Sequence, residues 1–145
     1  MIRKISSVDS QLLAEIHKRC FDDGWDAKTF ADMLSKNVFF GFLDLEKTAR
    51  GFIVGKMVME EIEIITFCVL PEFRNRGLGK MLINEVDKHA QSNCVEKIFL
   101  EVAENNAVAK KIYENSGYAE ISRRREYYCM KEGGVDALVM QKIIF

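Results

Sequence analysis

Arg74-Asn75-Arg76-Gly77-Leu78-Gly79-Lys80 is the stretch on which the reading of this chain turns. Before it, Glu61-Ile62-Glu63-Ile64-Ile65-Thr66-Phe67-Cys68-Val69 favours a strand that ends at Leu70-Pro71. After it, Leu78, Met81, Leu82 and Val86 recur on one helical face and predict a helix over 77–91. The first amides of a helix have no intrahelical acceptor and carry the positive end of its dipole, so this junction suits a phosphate. Glycines at 77 and 79 let backbone approach closely where a Cβ would collide, while Arg76 and Lys80 add charge. A P-loop is excluded: it needs four residues between its glycines and a Ser or Thr after the lysine, but Met81 follows Lys80. A dinucleotide fingerprint is excluded too, because Leu82 stands where its third glycine belongs. An ordinary helix entry that contains glycine stays open on these letters alone.

Working outward, 2–5 reads as a strand, and Val8, Leu12, Leu13 and Ile16 recur at helical spacing. Asp22-Asp23-Gly24 makes a turn, followed by a short helix marked by Phe30, Met33 and Leu34. The apolar runs 38–43 and 51–59, joined by a polar connector, predict an antiparallel pair. Beyond the 77–91 helix come a buried strand at 97–102 and a helix at 107–116 stopped by Gly117. Strands at 118–127 and 137–144 finish the chain. The predicted order is βααβββαβαββ, an α/β (α+β) chain whose seven strands form a mixed, mostly antiparallel sheet with one parallel crossover, flanked by four helices.

The chain has 145 residues, which predicts one domain spanning 1–145. A net charge of -1 supplies no field to draw nucleic acid or an anionic membrane. Cys20, Cys68, Cys94 and Cys129 are widely spaced, with no CxxC pair, so reduced thiols in a cytoplasm are expected rather than zinc or disulfides. His17 and Cys20 could share a helix face, but two ligands do not make a metal site. No apolar stretch is long enough to span a bilayer, and the N-terminus lacks signal-peptide features. Arg123-Arg124-Arg125 alternates faces on a strand and runs straight into Glu126, which favours a solvated strand over nucleic-acid contact.

Leu100-Glu101-Val102 places a carboxylate in an apolar strand, where an unpaired charge is costly; it either meets solvent, joins a salt bridge or does chemistry. Asn105 or Asn106 could cap the following helix, and Tyr113, on the face of Ala109, could simply pack in the core. Arg74-x-x-Gly77-x-Gly79 after Phe67-Cys68-Val69 resembles the acetyl-CoA signature of the GNAT superfamily, whose fold has the predicted strand order. The run Leu-Glu-Val, Asn105-Asn106-Ala107-x-Ala109, Tyr113, Gly117-Tyr118, the Arg/Tyr-Tyr segment Arg123-Arg124-Arg125-Glu126-Tyr127-Tyr128 and the strand at 136–140 is similar to the RimI-type ribosomal-protein-alanine acetyltransferases.

The resemblance implies that Asn75, Arg76, Gly77, Leu78, Gly79 and Lys80 hold the pyrophosphate of acetyl-CoA. It implies that Phe67, Cys68 and Val69 pair with the pantetheine arm, and that Asn106 contacts the cofactor. It also implies that Glu101 is the general base and Tyr113 the general acid of a direct transfer, with no metal. A backbone N–H near Val69 is expected to polarise the thioester carbonyl. Cys68, nearest the expected site, is read as a buried structural thiol rather than an acyl carrier. RimI-type chains often carry Pro-Trp-Ser where this one has Gly24-Trp25-Asp26, which bears on substrate preference. Trp25, Tyr127 and Tyr128 are expected to wall the acceptor groove, with Asp22, Asp23 and Asp26 attracting a basic residue near the acceptor's N-terminus.

The implied acceptor is the N-terminal α-amine of a small-subunit ribosomal protein starting with alanine, acted on by a cytoplasmic monomer or weak dimer. A lysine side chain or a small-molecule amine is the alternative acceptor. A non-catalytic acetyl-CoA-sensing module would keep the phosphate loop and dispense with Glu101 and Tyr113. Fold alone does not choose among these.

Overall fold

The computed structural model describes residues 1–130 and 133–145, and for 126–130 and 133 the backbone only. β1 (Ile2–Lys4) leads through a turn at Ser7–Asp9 into α1 (Ser10–Cys20). Asp9 anchors that entry: its carboxylate accepts from the Ser6 amide at 3.0 Å and pairs with Arg3 at 2.8 Å. α2 (Ala27–Leu34) is capped by Asp26, which accepts from the Thr29 amide at 2.9 Å.

β2 (Phe39–Leu45), β3 (Ala49–Val58) and β4 (Glu61–Val69) form a meander. The link between β2 and β3 is shorter than its polarity predicts. Arg50 bonds the 1 %-exposed Asp44 carboxylate at 2.6 Å, and that pair draws both strands toward the turn. α3 (Leu78–Ser92) then crosses to β5 (Lys97–Ala103), and α4 (Ala107–Asn115) leads to β6 (Ala119–Met130) and β7 (Gly133–Ile143). The element order is the predicted one. The last two strands are longer than their alternation predicts, because they pair along most of their length.

The sheet has the order β1-β2-β3-β4-β5-β7-β6, with β4 and β5 parallel and every other pair antiparallel. One face packs Leu82, Ile83 and Val86 of α3 and Tyr113 of α4 against Ile62, Ile98, Leu100, Leu138 and Met140. The other packs Leu13, Ala14 and Ile16 of α1 and Phe30 of α2 against Leu43, Phe52 and Val54.

Two irregularities in β4 shape the middle of the sheet. Val54 pairs with Thr66 and Gly55 with Ile64, so Ile65 is an extra residue, a bulge that flips the alternation. Ile62 and Ile64 face the α3 side before it, as do Phe67 and Val69 after it, while Cys68 joins the α1 side. Parallel pairing with β5 covers only Glu61, Ile62 and Glu63, opposite Lys97, Ile98 and Phe99. Past that point the two strands part, and 64–69 of β4 have no partner on β5.

Candidate active site

Of the acid–base candidates, Tyr113 meets the phosphate loop, through Phe67, which lies against both Tyr113 and the Cβ side of Gly79; Glu101 lies on β5 past the point where the strands part. At the β4 end of the opening, a 3-10 turn at Pro71–Phe73 leads into the 74–80 loop and the N-terminus of α3. Asn75 (φ 63) and Gly77 (φ 79) both sit in the left-handed region. Left-handed residues at a turn expose successive backbone amides, a feature of anion-binding loops. Gly77 is the N-cap of α3, which has no side-chain cap, so the helix's first amides are left for an acceptor.

The two glycines have different jobs. A Cβ on Gly77 would meet nothing within 4 Å, so its side of the loop is open. A Cβ on Gly79 would sit 2.9 Å from Phe67 Cζ: Gly79 is needed so that α3 can pack on β4. Arg76 and Lys80 are exposed, Leu78 is buried, and Arg76 lies over the Phe73 ring at 5.6 Å. Arg74 donates from Nε to the Val69 carbonyl at 2.8 Å, pinning the loop to the strand end. A cleft of about 450 Å³, lined by Gly77, Lys80, Asn84, Asn115, Ser116 and Lys142, continues from the loop between α3 and the end of α4. It belongs to the phosphate end and does not include Glu101.

Glu101 lies on β5 opposite Val139 of β7, on the face away from Leu100 and Val102. Its carboxylate is 24 % exposed and pairs with Arg124 Nε at 3.2 Å. Tyr113 is buried on the opposite face, its ring 5.9 Å from Phe67 and 5.8 Å from Tyr118. The salt-bridge and core-packing readings of these two residues therefore both hold. They flank β5 from opposite sides, and the parted strands connect those sides. Asn106 does cap α4: its Oδ1 accepts from the Ala109 amide at 3.2 Å, which leaves its side-chain NH₂ for any ligand.

Cys68 is buried on the α1 side against Leu70. The neighbouring Cys20 thiol and burial push its thiol well above the usual range, unsuited to a nucleophile. The Cys68 hydrogen bond and the Arg74 charge bring Cys20 down to about 7.

On the acceptor side, Trp25 is half-buried and stacks on His17 with ring centroids 4.8 Å apart. His17 was not singled out by the sequence as a link, yet it joins three elements. Its Nδ1 accepts from the Trp25 amide at 2.9 Å and its Nε2 lies 3.0 Å from Thr66 Oγ1, at the β4 bulge. The legible signal was its place four residues after Leu13 on the apolar stripe of α1. Asp22 and Asp23 are exposed, whereas Asp26 is occupied as the α2 cap, so the acidic loop is smaller than its letters suggest. Tyr127 and Tyr128 lie on β6, and their side chains are outside the described residues. Among the described residues no three His, Cys, Asp or Glu side chains form a metal-binding group, and no helix is long and apolar enough to cross a membrane.

The chain, a seven-stranded mixed sheet that parts beside a glycine-capped helix, matches the acetyltransferase (GNAT) family over residues 10–118. It belongs to that family. The [ribosomal protein bS18]-alanine N-acetyltransferase of Salmonella typhimurium is 31 % identical over 94 % of this chain and 92 % of its own. The crystal structure of the ribosomal-protein-S18-alanine N-acetyltransferase from Escherichia coli superposes with a TM-score of 0.92 at 27 % identity, covering 99 % of this chain and 93 % of that one. Arabidopsis thaliana NAA60 in complex with a bisubstrate analogue, at 20 % identity and a TM-score of 0.88 over 99 % and 97 % of the two chains, shares the fold.

Proposed function

We propose that this chain, acting as one domain in the cytoplasm, transfers acetyl from acetyl-CoA to the N-terminal α-amine of a protein, with the alanine of ribosomal protein bS18 as acceptor. The observation that carries the reading is the parting of β4 from β5, with an uncapped helix N-terminus at one end and Glu101 beside it. The bS18-alanine activity of relatives similar over nearly the whole chain supports the choice of acceptor.

The residues present fit acetyl-CoA. The amides after Gly77 and the left-handed Asn75 suit a diphosphate, with Arg76 and Lys80 adding charge, and the cleft toward Asn115 has room for the nucleotide end. The edge of β4 that lacks a β5 partner presents the Phe67–Cys68–Val69 segment to an extended chain, with the Val69 carbonyl also accepting from Arg74. The bound cosubstrate supplies an activated acetyl group. Glu101 accepts the proton of the attacking amine, directly or through water, and the Tyr113 phenol returns a proton to the departing sulfur. An α-amine, with a pKa of about 7.7–8.0, is already partly neutral at neutral pH, whereas a lysine at about 10.4 is not. A single carboxylate beside a backbone donor is a sufficient apparatus for the easier of these acceptors. Trp25, Tyr127 and Tyr128 are assigned to the acceptor wall.

The test is a peptide that begins with the bS18 alanine and also contains lysine, incubated with the protein and acetyl-CoA and then fragmented. Acetyl on the α-amine alone is expected, and acetyl on lysine alone overturns the acceptor. Glu101→Gln and Tyr113→Phe are each expected to lower kcat by about 10²–10⁴. Unchanged turnover removes the assigned roles, and no calorimetric affinity for CoA removes the whole reading.

A further inference from the structure

Arg124 played no part in the expected chemistry, yet it is the side chain that meets Glu101. The two residues sit on strands that are not neighbours: β7 lies between β5 and β6. Register explains how they meet. Ala103 pairs with Ala137 and Ala137 with Arg124, while Glu101 pairs with Val139, so all five share one sheet face. Ala137 is small and fully buried, and it leaves a low track over which the long Arg124 side chain crosses β7. The guanidinium thus reaches Glu101 Oε1, at 3.2 Å, from the β6 side, while the strand gap opens on the β4 side. A carboxylate has about four lone-pair sites, so one paired from the β6 side keeps acceptor capacity for a second donor. The second donor the site calls for is an amine arriving through the gap.

We propose that Arg124 is a positioning residue for acetyl transfer: it pairs with the Glu101 carboxylate from the β6 side and so holds it facing the acceptor amine in the gap. The inference rests on Glu101 being the base. Arg124 itself touches neither the amine nor the thioester. Its side chain is 56 % exposed, so the pair adds little to stability and its effect falls on turnover. Arg123, the next residue, is engaged elsewhere, with Glu104 at 2.8 Å and Asp136 at 2.9 Å, so it does not duplicate the contact.

A double-mutant cycle on kcat separates this role from a structural one. Arg124→Gln is expected to lower kcat about fivefold, the upper range for a partly exposed ion pair, with KM for acetyl-CoA unchanged. In a Glu101→Gln background the same substitution should change kcat by less than about twofold, because there is no carboxylate left to hold. Arg124→Lys keeps the charge at one point and should recover part of the rate. An equal loss in both backgrounds, or no loss in the parent enzyme, overturns the proposal while leaving Glu101 as the base. Full turnover by Glu101→Gln overturns the base itself, and is read from a different variant. A melting temperature for Arg124→Gln matching the parent's shows that the fold is intact.

Discussion

The Trp25 amide can only donate, so the 2.9 Å contact it makes with His17 Nδ1 settles the ring's tautomer: the proton is on Nε2 and is given to Thr66 Oγ1. His17 is 4 % exposed, and burial lowers its pKa from the usual 6.5 to about 4. The folded protein therefore binds fewer protons at this site than the unfolded chain between those two values. Stability contributed by the neutral ring is complete above the unfolded pKa and is lost as pH falls toward the folded one. Between pH 7 and pH 5 the loss is about 2 kcal/mol. Thermal melts across that range should show it, and His17→Gln should flatten the slope relative to the parent; equal slopes would remove His17 as the cause. A histidine on an apolar helical stripe was legible in the letters. Its two partners were not, because Trp25 and Thr66 are brought to it only when the Asp22–Gly24 turn and the β4 bulge are built.

At the scale of an element, the loop between β4 and α3 shows what two glycines at one spacing can mean. Gly77 is there for its backbone: φ is 79° and its Cβ side is open. Gly77→Ala should cost about 1 kcal/mol of stability through left-handed strain, and Gly77→Asn less, since Asn tolerates that region. Gly79 is there for its missing side chain. Gly79→Ala drives a methyl to 2.9 Å from the Phe67 ring, which itself packs on Tyr113, so the overpacking should cost about 1–3 kcal/mol and displace a residue assigned to the site. Denaturant melts of the three variants check the ranking; Gly79→Ala as stable as the parent would show that the helix can slide. The sequence marked the pair as a phosphate loop, but only packing separates the glycine that shapes the turn from the one that seats the helix.

For the molecule as a whole, the decisive fact is that the last strand lies inside the sheet. β7 pairs with β5 on one side and β6 on the other, and Leu138 and Met140 are 0 % and 1 % exposed in the α3-side core. A fragment ending at 118, where the family match ends, leaves β5 without its antiparallel neighbour and opens that core. It should show no cooperative thermal transition, and a sharp melt would contradict the argument. Element types, their order and the single parallel crossover were readable from periodicity, glycines and the proline, because those signals are local: a pleat repeats every two residues and a helix every 3.6. Glu101, Tyr113 and the 74–80 loop were readable as residue types at a spacing. Three things depended on distant parts of the chain meeting: the insertion of β7 between β5 and β6, the parting of β4 from β5 past Glu63, and the crossing of Arg124 to Glu101. Strand neighbours and ion pairs across a strand carry no trace in local periodicity, since they are chosen by how the whole apolar surface is best buried.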